Sequence, residues 1–318
     1  MKRIIASALA ASVALCALAA NAQDKTQMAF VVNGASDFWK LAEAGVKKAQ
    51  GELGDAYDLQ FRYPAQATAA LQNALMDDLV AAGADAIMIS SVDPKTSTDA
   101  FNRIAAQIPL FTTDSDAPQS NRIAYIGSSN TDAGVQAGEI ALKALPDGAK
   151  CMGFVGLPGA DNARERIEGF RKAVEGSKVE LVDVRGDDID FARARSNVDD
   201  VLAASPEITC MVGFYSYNPP KIYEALQAAG KVGQITVIAF DEDPITLGAV
   251  RSGEFAGTVV QQPFEWGYQG MKLMAQYLGG DKSFVPADGL IIVPTKVIDK
   301  ENVDAFEADL KAKIASAS

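Results

Sequence analysis

CMGFVGLPGADNARERIEGFRKAVEG, residues 151 to 176, reads as a strand, a tight loop and a helix in immediate succession. CMGFVG (151 to 156) is apolar without alternation, the pattern of a strand buried on both faces in a parallel sheet. A Pro-Gly turn then leads to Asp161 and Asn162, a helix entry, and Glu165 follows Asn162 at capping-box spacing. RIEGFRKAVEG (166 to 176) continues with helical period. Arg164 falls in the first turn, where exposed N–H groups disfavour a cation by a few tenths of a kcal/mol up to about 1 kcal/mol. That residue needs a role outside its own helix.

The same pattern recurs on either side. MAFVVN (28 to 33), AIMIS (86 to 90), CMVGFY (210 to 215) and TVIAF (236 to 240) are short apolar runs of the same kind. Amphipathic segments such as KLAEAGVKKAQGEL (40 to 53) and TAALQNALMDDLVAAG (68 to 83) separate them. This alternation predicts an α/β fold of doubly wound parallel sheets. Nine or more strands in one sheet would be large, so two Rossmann-like domains with a crevice between them suit the length better. Ligands in such folds bind beyond the carboxyl ends of the strands. There the loops carry Asn33 and Asp37, Asp114, the 157 to 170 stretch, Asn218, Asp241 and Gln261.

The first 22 residues are set aside as a secretory signal peptide: Lys2 and Arg3, an apolar run from Ile4 to Ala20, and cleavage after Ala22. A retained span or a lipid anchor at Cys16 is the weaker reading, because the run is short and Leu15 is larger than lipoprotein processing needs. The expected location is the periplasm. Removing Lys2 and Arg3 from 29 basic residues leaves 27 against 41 acidic ones, a net charge of −14. Nucleic acid and anionic lipid both need a basic footprint, so neither is an expected partner.

Histidine is absent, which removes Ser-His-Asp and Cys-His nucleophiles and His-ligated zinc. Past the signal peptide only Cys151 and Cys210 remain, too few for a metal cluster and open to either a disulfide or two buried thiols. Asp114, Asp116 and Asp241 offer paired carboxylates for glycoside hydrolysis, but no nucleophile elbow, phosphate loop or GxGxxG spacing accompanies them. The expectation is a binding protein with no cofactor and no metal. A small hydroxylated ligand has an apolar C–H face and an equator of hydroxyls, which suits aromatic walls and two-way hydrogen bonders. Phe38, Trp39, Phe191, Tyr215 and Tyr217 offer the walls. Arg164 then finds its role as a donor to the ligand that balances Asp114 and Asp241, while Arg166, two residues on, points elsewhere as a surface residue.

Seven segments in order carry a family resemblance: VVNGASDFW (31 to 39), IPLFTTDSD (108 to 116), YIGSSNTDAGVQAGE (125 to 139), GADNARERIEGFRKAV (159 to 174), YNPPKIYEALQAAGK (217 to 231), VIAFDEDP (237 to 244) and GTVVQQPFEWG (257 to 267). The chain resembles the type I periplasmic sugar-binding proteins of the ribose-binding group, which feed ABC importers. The resemblance implies that Phe38, Trp39 and Phe191 sandwich a sugar ring. It makes Asp114, Arg164, Asn218, Asp241 and Gln261 the polar ligands, with Asn33 and Ser36 or Asp37 on the N-terminal side. It also implies two lobes joined by three crossings, near Ser128 and Ser129, near Gln261 and Gln262, and near Asp288 and Gly289. The N-terminal lobe would then be 23 to 128 plus 262 to 288, and the C-terminal lobe 129 to 261 plus 289 to 318.

Ser115 stands where ribose-specific members carry an arginine, which points away from ribose toward another pentose, a hexose or a polyol. The implied partners are that neutral ligand and a permease recognising the closed form, with a chemoreceptor or sensor kinase as the alternative and a cationic ligand as the rival. Lactose-repressor-like regulators share the fold but carry a DNA-binding segment in place of an export signal. The implied topology makes the strands of Cys151 and Cys210 neighbours, and adjacent parallel strands fit a disulfide poorly, so two buried thiols are expected.

Overall fold

The computed structural model describes residues 25 to 316. The signal peptide expected at 1 to 22 lies outside them. In chain order the elements are β1 (Thr26–Val31), α1 (Trp39–Leu53), β2 (Tyr57–Arg62), α2 (Ala69–Ala81), β3 (Ala86–Ile89), α3 (Pro94–Ala105), β4 (Leu110–Thr112), β5 (Tyr125–Gly127), α4 (Asn130–Ala144), β6 (Ala149–Val155) and α5 (Asp161–Val174). There follow β7 (Val179–Gly186), α6 (Phe191–Ala204), β8 (Ile208–Gly213), α7 (Asn218–Ala228), β9 (Thr236–Phe240), α8 (Pro244–Ser252), β10 (Gly257–Val260), α9 (Pro263–Leu278), β11 (Leu290–Ile292), β12 (Lys296–Ile298) and α10 (Val303–Ala315).

These strands form two six-stranded sheets, ordered β11-β5-β4-β3-β1-β2 and β12-β10-β9-β8-β6-β7. Every ladder is parallel except β10 with β12. The apolar runs explain the centre of each sheet: Phe30, Ile87, Met88 and Leu110 in one, and Met211, Val212, Val237 and Ile238 in the other, are inaccessible to water. Helices cover both faces, as parallel strands buried on both sides require. No helix among the described residues is long and apolar enough to cross a membrane.

The chain crosses between the sheets three times, the first two after β5, where α4 packs on α5, and after β10, where α9 packs on α1. The third crossing differs. β11 pairs in parallel with β5 from Leu290↔Tyr125 to Ile292↔Gly127, so residues 290 to 292 belong to the first lobe. The passage to β12 therefore falls between Ile292 and Lys296, beyond Asp288 and Gly289.

Cys151 and Cys210 are bridged, which corrects the expectation of two thiols. They face each other across β6 and β8, and the β6 ladders shift register on either side of Cys151. That irregularity breaks the regular parallel geometry that argued against a bridge, and the two Cα atoms lie 4.3 Å apart.

Candidate functional site

β4 and β9 hold equivalent places in the two sheets, and each hands the chain to an aspartate. Asp114 has φ 55° and Asp241 φ 66°. Aspartate is among the few residues that accept this left-handed turn, which aims each carboxylate back over the strand ends. Both are almost fully buried. Together they face a small cavity between the lobes.

The first lobe supplies Asn33, Ser36, Phe38 and Trp39 from the β1–α1 loop and the start of α1, besides Asp114. Trp39 is held in place by its indole N–H, which donates to Asn33 Oδ1 at 3.3 Å, and by edge contact with Phe38 at 5.1 Å between centroids. The second lobe supplies Asn162 and Arg166 from α5, Ile189, Tyr215, Ser216 and Tyr217, Asp241, and Gln261 from the end of β10.

Arg166, expected on the surface, is 1% exposed. Its guanidinium donates to Asn130 Oδ1 at 2.9 Å, to the Phe214 carbonyl at 2.8 Å and to Asp114 Oδ1 at 3.4 Å, and lies 5.0 Å from the Phe240 ring centroid. α4 can approach close enough to offer Asn130 because it carries Gly134, whose added Cβ would stand 2.2 Å from the Arg166 carbonyl oxygen. Arg164 points away. Its guanidinium pairs with Asp161 and donates to the Gly159 carbonyl, it is about one third exposed, and it does not line the cavity. The capping box also gives way: the residue before α5 is Ala160, and Asn162 lies inside the helix. Asn162 Nδ2 instead reaches Asp114 at 3.1 Å across the cleft, and its Oδ1 accepts from Tyr215 Oη at 2.8 Å.

Three other expected contacts also move. Asn218 does not line the cavity; its Nδ2 donates to Asp187 at 2.9 Å, and Tyr217 Oη donates to the same carboxylate at 2.5 Å, so Asn218 braces the tyrosine wall from behind. Phe191 opens α6 as expected but sits outside the cavity, 43% exposed and tilted against Tyr217 at 4.7 Å. Asp37 is exposed at the cleft mouth and paired with Lys40 at 2.7 Å. Asp116, weighed as half of a carboxylate pair, is consumed by Arg122 at 2.5 and 2.6 Å. Ser115 is fully buried and accepts from the Asp161 N–H at 3.2 Å, so it ties the lobes together at the start of α5.

Burial sets the electrostatics. Desolvation raises Asp114, opposed by Arg166 and by hydrogen bonds from Ser90 and Asn162. Desolvation pushes Asp241 up to about 6, opposed by Arg166 and by Gln261, whose Nε2 donates to it at 3.0 Å. Gln261 Oε1 is buried with no hydrogen-bond partner among the described residues. An acceptor left so costs about 1–3 kcal/mol until a donor reaches it.

Residues 28–282 match the model of the periplasmic binding protein domain. The ribose import binding protein of Salmonella typhimurium is 30% identical over 285 residues, 89% of this chain and 94% of that protein. The chain belongs to the type I periplasmic sugar-binding proteins. Among solved members of this fold, a glucose-galactose binding protein from Geobacillus stearothermophilus superposes with TM-score 0.81 at 28% identity, covering 88% of this chain and 99% of that one. A solute-binding protein from Agrobacterium vitis with bound D-fucose gives TM-score 0.82 at 26% identity, covering 89% and 99%. For a sugar-binding protein the interlobe cavity lies where the strand-end rule puts a ligand.

Proposed function

We propose that this protein captures a neutral monosaccharide or polyol between its lobes in the periplasm, without reacting with it, and delivers it to an ABC importer. The observation that carries this is the set of acceptors on residues that line the cavity: the Asp241 carboxylate, whose hydrogen bonds come from Gln261 alone among the described residues, and the orphaned Gln261 Oε1. Sugar hydroxyls are donors that answer both. Phe38, Trp39 and Tyr217 give the ring's C–H face flat surfaces to lie against. The names of the relatives, ribose import and a D-fucose complex, support the same ligand class.

One observation favours a cationic ligand as the second reading. Arg164 stands outside the cavity, and Arg166, which also acts on Asp241, is already paired with Asp114, so less positive charge opposes an amine there than two arginines in the cavity would supply. A thermal-shift screen over pentoses, hexoses, polyols, amines and sugar acids separates the two. A ligand at a hundred times its Kd adds about 2.7 kcal/mol to stability. A shift with a neutral sugar or polyol is expected; a shift with amines alone would replace this reading by the second.

A further inference from the structure

The inner cavity opens outward. Ser36, Phe38, Ser216, Tyr217 and Asp241 line it and also line an open groove of about 450 Å³ at the cleft mouth. Both lobes build this groove, with Lys40 and Leu41 of α1 on one side and Phe191, Pro220 and Ile245 on the other. It is therefore complete only when the lobes are closed.

Its lining has the two features that recognise a carbohydrate ring. One is flat apolar surface: Phe191 and Ile245 are 43% and 42% exposed, and Phe191 is propped against Tyr217. The other is an unpartnered buried carboxyl. Glu242 is 7% exposed, lines the groove, and its Oε2 has no hydrogen-bond partner among the described residues. A buried polar group needs a partner. An alkyl or aryl substituent would cover Phe191 and leave Glu242 unanswered, whereas a second sugar brings a C–H face and hydroxyl donors together.

We propose that the groove is a second carbohydrate subsite, and that the cargo includes disaccharides whose terminal ring fills the inner cavity while the next ring rests on Phe191 and Ile245. The proposal rests on the sugar-binding reading and deepens it. The shared residues Tyr217 and Asp241 border both compartments.

Calorimetric titration with glucose, galactose, xylose and arabinose, and with lactose, maltose, cellobiose and xylobiose, tests it in the wild-type protein and in the F191A and I245A variants. The expected result is a disaccharide bound roughly tenfold more tightly than the monosaccharide of its terminal ring, with that ratio falling toward one in F191A and dropping in I245A. A monosaccharide bound while every disaccharide is rejected would overturn the subsite and leave the sugar reading standing. So would a ratio that neither substitution moves. Absence of binding by any sugar, single or double, would overturn the sugar reading and the subsite with it.

Discussion

Asp114 and Asp241 occupy the same place in two copies of one architecture, yet their surroundings differ. Asp114 accepts from Ser90 at 2.8 Å and Asn33 at 3.3 Å in its own lobe, and from Asn162 and Arg166 of the other. Asp241 has Gln261 of its own lobe. The first carboxylate is spent on holding the lobes together, and the second faces the cavity with acceptor capacity to spare. A repeated fold thus commits one aspartate to contacts between the lobes and leaves the other with acceptor capacity at the cavity.

The strongest way to break this contrast is to remove Arg166. R166M strips Asp114 of its counter-charge in a buried site and is expected to cost about 3–5 kcal/mol in denaturant unfolding, with part of the loss recovered in R166M/D114N. Recovery instead by D241N would mean that the arginine serves the other aspartate. A second test exploits the lobes' unequal bracing, since the Cys151–Cys210 bridge, 59 residues apart in sequence, lies in the second sheet. Reduction is expected to lower that lobe's stability by about 2–4 kcal/mol, seen as hydrogen-exchange protection lost in β6 and β8 and retained in β1 and β3.

Proton linkage gives a smaller effect. Burial pushes Asp241 up to about 6 in the folded protein from an ordinary 3.8, so in between the folded state holds the extra proton and its stability falls as pH rises. Asp187, also pushed up to about 6 by burial, and Asp114 and Glu242, raised by burial as well, act in the same direction. The stability difference between wild type and D241N reports Asp241 together with the neighbouring Glu242 that its charge raises; it is expected to move in favour of the wild type by about 1 kcal/mol from pH 7 to pH 5. A flat difference would mean that water reaches this carboxylate. A comparable or smaller effect is expected at Arg164, which is about one third exposed while its partner Asp161 is buried: R164A is expected to cost about 1 kcal/mol or less in denaturant unfolding.

Much of this was legible in the residues. Unalternated apolar runs marked β1, β3, β6, β8 and β9, because a strand buried on both faces leaves no polar positions to confuse its reading. β2 and β7 border the sheets, are half exposed and carry charges, and gave no such signal. Asp114, Asp241, Gln261, Asn33, Phe38 and Trp39 were found by following strands to their ends. Arg164 was chosen over Arg166 by its place in the first turn, although 163, 166, 167, 170 and 174 form one helical face on which Ala163, Ile167, Phe170 and Val174 are buried. An arginine on a core-facing stripe, one turn from Asn162, was the signal to read. Phe191 and Asn218 sit on the correct loops, but side-chain direction there depends on Asp187 and Tyr217, which sequence spacing does not convey.

The most direct test of the account is calorimetric titration of wild type, D241N and R164A with the sugar or polyol that gives the largest thermal shift. The account predicts that D241N weakens binding by about 2–3 kcal/mol, roughly 30- to 150-fold, and that R164A stays within a factor of about two. Binding that survives in D241N and collapses in R164A would contradict it and return the arginine of the first turn to the ligand.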